Sequence, residues 1–268
     1  MYKKCYATRL GNNKYKIHIW DEGGYDEIEW YNTAYQECSK EEGTHYGLGG
    51  EYLKEIYNWD KNTPNLHFHD MKPHQKYLVE KYGTNDTPST GHKELFFDIE
   101  CEIGGALTEE YIESAPMPIT SIAWWDKTPN TWHILILDKK KQLKHTKAKS
   151  KEIIPCSTEQ ELLAKFLEHF REIDPDILIG YNSDFFDIPY LYYRMCNVLG
   201  QEWADQLSPI GKVNAKKNNQ YFFKRNQFVD IIGVESLDYM RLHKKYSWKD
   251  EPSWKLDAIG EKYTGIGK

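Results

Sequence analysis

The chain has 268 residues, a net charge of −6, 40% hydrophobic and 28% charged side chains. This is a globular composition with room for a sizeable core, and its acidic balance excludes attachment to nucleic acid by bulk charge. No apolar run reaches the length of a membrane span, and Met1-Tyr2-Lys3-Lys4-Cys5 lacks a signal-peptide core. The five cysteines are scattered without a Cys-x-x-Cys pair, which fits reduced thiols in a cytoplasmic protein rather than disulfides or a zinc site.

Residues 1–92 read as a smaller β-rich α+β domain. Tyr15 to Trp20 alternates like a strand, and Glu27 to Tyr31 does so again after the Gly23-Gly24 turn. Gly43 to Gly50 reads as a loop, and Lys76 to Tyr82 as a short helix. In His67-Phe68-His69-Asp70 and His74 a metal site is weighed against ordinary polar surface, and polar surface is preferred because no cysteine pair accompanies them. Gly83 to Gly91 has the makeup of a linker, so the boundary falls between 92 and 93.

Residues 93–268 form the second domain. Glu94 to Glu100 is an apolar strand ending in two acids one residue apart. Side chains two apart on a strand share a face, so Asp98 and Glu100 stand together while Phe97 and Ile99 point away. Adjacent carboxylates repel unless a hard cation such as Mg²⁺ lies between them. Spacing alone is weak, because 41 acids in this chain give roughly six acid-x-acid pairs by chance.

An excursion from Cys101 to Pro118 is followed by the strands Ile119–Trp125 and Trp132–Leu137, joined by a turn at Lys127-Thr128-Pro129-Asn130. The lysine-rich stretch Lys139 to Lys151 reads as a solvated loop. Thr158-x-x-Glu161 is a capping box opening a helix with Leu162, Leu163, Phe166, Leu167 and Phe170 on one face, and Asp174-Pro175 stops it. Asp176 to Asn182 then reads as a strand buried on both faces. Pro189 marks the first turn of the next helix, which Gly200 closes, so Asp187 lies at that helix's N-terminus. A hairpin over Lys212–Asp230, a helical stretch Ser236–Tyr246 and a final helix Lys255–Tyr263 complete a mixed α/β layer.

Asp98, Glu100 and Asp187 are the candidate acids. They either cap and pair within the fold or hold two cations about 4 Å apart at a phosphate. In the hairpin, Lys216, Lys217, Lys224 and Arg225 with Tyr221 could track phosphates and stack bases, an arrangement weighed evenly against a core stripe.

These residues also resemble a known family. Phe97-Asp98-Ile99-Glu100 resembles the Exo I motif of family B DNA polymerases, and Tyr181 to Tyr190 resembles their Exo II motif. Leu237-Asp238-Tyr239-Met240, Lys244 to Ser247 and Ser253 to Asp257 resemble the stretch that follows in polymerases of the T-even bacteriophage type. The resemblance covers most of residues 93–268, and for 1–92 it is positional only. It implies a ribonuclease-H-like 3′→5′ proofreading exonuclease, cytoplasmic in an infected bacterial cell, that binds Mg²⁺ or Mn²⁺. Asp98 and Glu100 would be metal ligands, Asp98 bridging both ions, and Asp187 would hold the second ion. Two-metal hydrolysis would remove the 3′-terminal nucleotide of single-stranded DNA, with Asn182, Phe186 and the hairpin touching DNA.

The family's Exo III motif, Tyr-x-x-x-Asp, is expected beyond Lys268, and Tyr246-Ser247-Trp248-Lys249-Asp250 is read as a chance match. The palm motifs of polymerisation are absent too. The chain is therefore expected to be a fragment or one half of a split polymerase, weak or inactive alone, partnered by a downstream polymerase polypeptide. The alternative is a non-catalytic module that binds single-stranded DNA or RNA, or docks a partner.

Overall fold

The structure is a computed structural model that describes residues 1–102, 104–127, 130–215, 229–248 and 250–266. It separates into two compact units, Met1–Gly91 and His92–Lys268.

In the first unit, β1 (Tyr2–Gly11), β2 (Lys14–Asp21) and β3 (Gly24–Tyr31) form an antiparallel sheet. β4 (Ala34–Glu37), β5 (His45–Tyr46), β6 (Tyr52–Ile56) and β7 (Leu66–His67) form a second, ordered β5-β6-β4-β7. Helix α1 (Pro73–Tyr82) starts earlier than the sequence suggested because Pro73 fits its first position. A small core of Ile17, Ile19 and Tyr77 forms with Trp30 and Leu78 packed against it. His67 pairs with Glu37 at 2.9 Å and His69 lies edge-on to Trp59.

The second unit is built on β8 (Glu94–Cys101), β9 (Ile119–Asp126), β10 (Thr131–Leu137), β11 (Thr146–Ala148), β12 (Lys151–Cys156), β13 (Ile177–Gly180) and β16 (Glu235–Asp238). Among the described residues these make one mixed sheet ordered β11-β12-β10-β9-β8-β13-β16. β8, β13 and β16 are mutually parallel, so their C-terminal ends share one edge of the sheet. β14 (Val213–Ala215) and β15 (Val229–Ile231) pair antiparallel as the base of the expected hairpin. Its predicted DNA contacts Lys216, Lys217, Tyr221, Lys224 and Arg225 lie outside the described residues.

One expected excursion contains an added element, and two readings need correction. The excursion after β8 contains a short helix, α2 (Glu109–Ser114), capped by Thr108. The lysine-rich stretch is partly strand: Lys147 on β11 faces Glu152 on β12, which also accepts a hydrogen bond from His145 at 2.9 Å. Ser236 to Tyr246 is strand first and helix after, because β16 lies beside β13 before α6 (Tyr239–Tyr246) begins.

The core lies on the face of β8 that carries Leu95, Phe97 and Ile99. Helix α3 (Glu159–Ile173) covers it, with Phe166 edge-on to the fully buried Trp124 of β9. As the sequence indicated, the Thr158 hydroxyl accepts from the Glu161 N–H at 3.1 Å. Helix α4 (Asp187–Val198) is buried along most of its length, with α5 (Gln201–Ala204) following. Its orientation is fixed by Arg194, which makes a two-pronged pair with Glu159 at 2.7 and 2.6 Å and donates to the Ala115 and Pro116 carbonyls. The Tyr190 hydroxyl adds bonds to both the carbonyl and the N–H of Met117.

The Arg194–Glu159 pair is mostly removed from solvent, so cutting it leaves a buried carboxylate uncompensated. Arg194→Ala is expected to lower unfolding stability by about 2–4 kcal/mol, measured by urea denaturation, whereas a change under about 0.5 kcal/mol would mean that α4 is held by apolar packing alone.

Candidate active site

The alternation read from the sequence is present: Leu95, Phe97 and Ile99 are buried, while Asp98 and Glu100 lie on the exposed face of β8. Asp187 reaches the same strand from α4. β13 ends at Gly180, and its last pairing to β8 is Ile179 opposite Phe96. The β13 register with β8 goes no further, and beyond it Asp187 accepts the Ile99 N–H at 3.2 Å.

The link between β13 and α4 is a tight reversal. Asn182 takes the left-handed conformation, φ 62°, which asparagine tolerates better than most residues. Gly180 is needed for close approach, since a Cβ there would lie 2.6 Å from the Ser183 Cβ. The reversal places Asp187 at the first turn of α4 in near-complete burial, 5% exposed. Burial first, then the negative charge of Asp98, pushes its carboxyl up to about 7. Hydrogen bonding to the Ile99 N–H opposes that rise without cancelling it.

A second acidic group, missed at the level of sequence, supports the reversal. Asp238, at the end of β16, accepts from the N–H groups of Asn182, Asp184, Met240 and Arg241, so it grips the loop and caps α6 together. Asp184 is buried and bonds the Ser236 hydroxyl and the Arg241 guanidinium. The available signal was Asp238 directly before a basic helical stretch, an N-cap pattern.

Asn182 and Phe186 both lie in the segment that leads into α4, Phe186 stacked on Tyr190 at 5.3 Å. Tyr246 ends α6 and is exposed, as is Asp250.

The donor chemistry at Asp98, Glu100 and Asp187 suits a hard divalent cation, whose charge would relieve the repulsion that raises Asp187. The geometry is less complete: among the described residues, no three His, Cys, Asp or Glu side chains gather closely enough to hold one ion. The structure therefore brings Asp187 and Asp98 into electrostatic contact but does not assemble all three acids around one point. No described helix is long and apolar enough to cross a membrane.

Acids at the end of a parallel strand and at the start of the following helix, on a mixed sheet, are a layout suited to hydrolytic chemistry. Comparison with known proteins narrows this. The family model for the exonuclease domain of family B DNA polymerases matches residues 54–259, most of the chain, and the chain belongs to that family. The mixed α/β unit is accordingly a ribonuclease-H-like exonuclease domain. The DNA-directed DNA polymerase of Enterobacteria phage T4 is 26% identical over 97% of the chain, which spans 32% of that protein. That of Escherichia phage RB69 is 37% identical over 43% of the chain and 13% of its own length. A DNA polymerase of Pyrococcus glycovorans is 35% identical over 75% of the chain and 23% of its own length. The chain thus spans about a third or less of these relatives. The match also begins at residue 54, well before residue 93, where the motif resemblance began.

Asp187 has a consequence for stability. A carboxyl with a raised folded-state pKa favours the fold fully below its unfolded value, near 3.8, and loses that contribution as pH rises through about 7. Asp187→Asn keeps an acceptor for Ile99 without the charge. In metal-free buffer the variant is expected to gain about 2–4 kcal/mol relative to the parent chain between pH 4 and pH 8, followed by thermal unfolding. A stability difference that stays flat with pH would contradict the shared electrostatics of Asp98 and Asp187.

Proposed function

We propose that this chain is a 3′→5′ exonuclease acting on the 3′ end of single-stranded DNA, the proofreading part of a family B DNA polymerase. The observation that supports it most is the buried Asp187 carboxyl, bonded to the Ile99 N–H between Asp98 and Glu100 on the strand that presents both of those acids. A divalent cation, Mg²⁺ or Mn²⁺, held by Asp98, Glu100 and Asp187 would supply Lewis-acid stabilisation of charge developing on the phosphate. The residues' own parts are positional. The Ile99 N–H fixes one oxygen of Asp187, and the Gly180–Asn182 turn sets where α4 begins. Asn182 and Phe186 are assigned to the terminal nucleotide. The hairpin beyond β14 is assigned to primer and template strands on its sequence alone. A downstream polymerase polypeptide is the assigned partner.

A second reading, a module that binds single-stranded DNA or RNA without cutting it, is favoured by one observation. The three acids do not converge on a single point among the described residues.

The two readings separate on a 5′-labelled single-stranded DNA incubated with Mn²⁺. The nuclease reading expects stepwise shortening from the 3′ end, reduced at least ~10²-fold in Asp98→Ala. Binding with no shortening by either protein would support the second reading. Equal shortening by both would place the chemistry elsewhere in the chain.

A further inference from the structure

Helix α6 is a basic element in a chain of net charge −6. Arg241, Lys244 and Lys245 stand at i, i+3 and i+4, hence on one face, and line a groove together with Asp184, Ser236 and Asp238. Both carboxylates of that groove are already committed. Asp184 is taken by Ser236 and Arg241, and Asp238 by four backbone N–H groups. Arg241 engages Asp184 through one nitrogen and remains 45% exposed, so the rest of its donor fork faces outward. The lysines rest on rings: Lys244 lies over Trp254 and Lys245 over Tyr246, each 5.3 Å from the ring centre.

Aromatic side chains flank these cations in the open. Tyr239 is half-exposed, Tyr246 largely exposed and Trp248 completely so. Cations that track phosphates beside exposed rings that stack bases are the means by which single strands are held without sequence preference. The location fits as well. α6 leaves the sheet at the C-terminal end of β16, the same edge at which Asp98 and Asp187 lie. β16 is two strands from β8, roughly 10 Å across the sheet.

We infer that the α6 face is a binding site for single-stranded DNA, holding backbone phosphates of the strand whose 3′ end lies at Asp98 and Asp187. The inference rests on the DNA reading proposed above. Lysines in a last helical turn also offset the helix dipole, and that role involves no ligand, so a salt-dependence measurement separates the two.

The test uses the whole chain and a 5′-fluorescein oligothymidylate in metal-free buffer, with affinity read by anisotropy across a salt series. The double variant Lys244→Gln/Lys245→Gln is expected to bind about 5–20-fold more weakly at low salt. Its slope of log K against log salt should flatten by about 1.4, two phosphates' worth for a single strand. Trp248→Ala should weaken binding about 10-fold. All three positions are exposed, so both variants should melt at the parental temperature. Unchanged affinity and slope in both variants would overturn the inference. So would no binding by the parent chain, or equal competition by polyglutamic acid, which would make the face a dock for acidic polypeptides. Binding here is read without turnover, so loss of the nuclease reading in the Asp98→Ala assay and loss of the α6 site are separate results.

Discussion

The hydrogen bond from the Ile99 N–H to Asp187 joins the two elements on which the candidate site depends. It lies beyond the last pairing of β13 with β8. A buried carboxylate there satisfies the N–H but is placed beside Asp98, so the same contact that fixes α4 stores the electrostatic tension of the site. Most of what surrounds it keeps the geometry in place. Arg194 and Tyr190 tie α4 to the segment before β9, and Asp238 ties the preceding loop to β16. Polar groups this deep in a fold are costly unless every partner is present, so the site is tightly specified by groups that need never touch a substrate.

Much of this was legible in the residues because it is local. Period-two alternation separated Phe97 and Ile99 from Asp98 and Glu100, and the structure keeps that division. The Thr158 capping box and Pro189 set the starts of α3 and α4 within a residue or two. What escaped is long-range. Asp238 bonds groups 54 and 56 residues away, and Arg194 finds Glu159 at a separation of 35, which no local pattern encodes. β16 escaped because four residues of mixed polarity before a helix read as helix, and β12 because Pro155 and a run of lysines obscured it. Tertiary pairing overrode local propensity in both cases.

The family match and the acids answer different questions. The match places the chain among family B DNA polymerases through their exonuclease domain, and fold membership alone does not assign chemistry to a given side chain. The proposed roles rest on where the carboxylates stand: Asp98 and Glu100 on one face of β8, and Asp187 bonded to the Ile99 N–H between them. The first unit has two small sheets and its own core around Ile17 and Ile19, and the family match begins within it, at residue 54.

Asp98 and Asp187 are proposed to share one cation site. Titration of Mn²⁺ into the chain, with free Mn²⁺ followed by electron paramagnetic resonance at neutral pH, tests it most directly. Saturable binding by the parent chain that is lost in both Asp98→Ala and Asp187→Asn is the expected result. Mn²⁺ bound equally well by all three proteins, or by none, would contradict it.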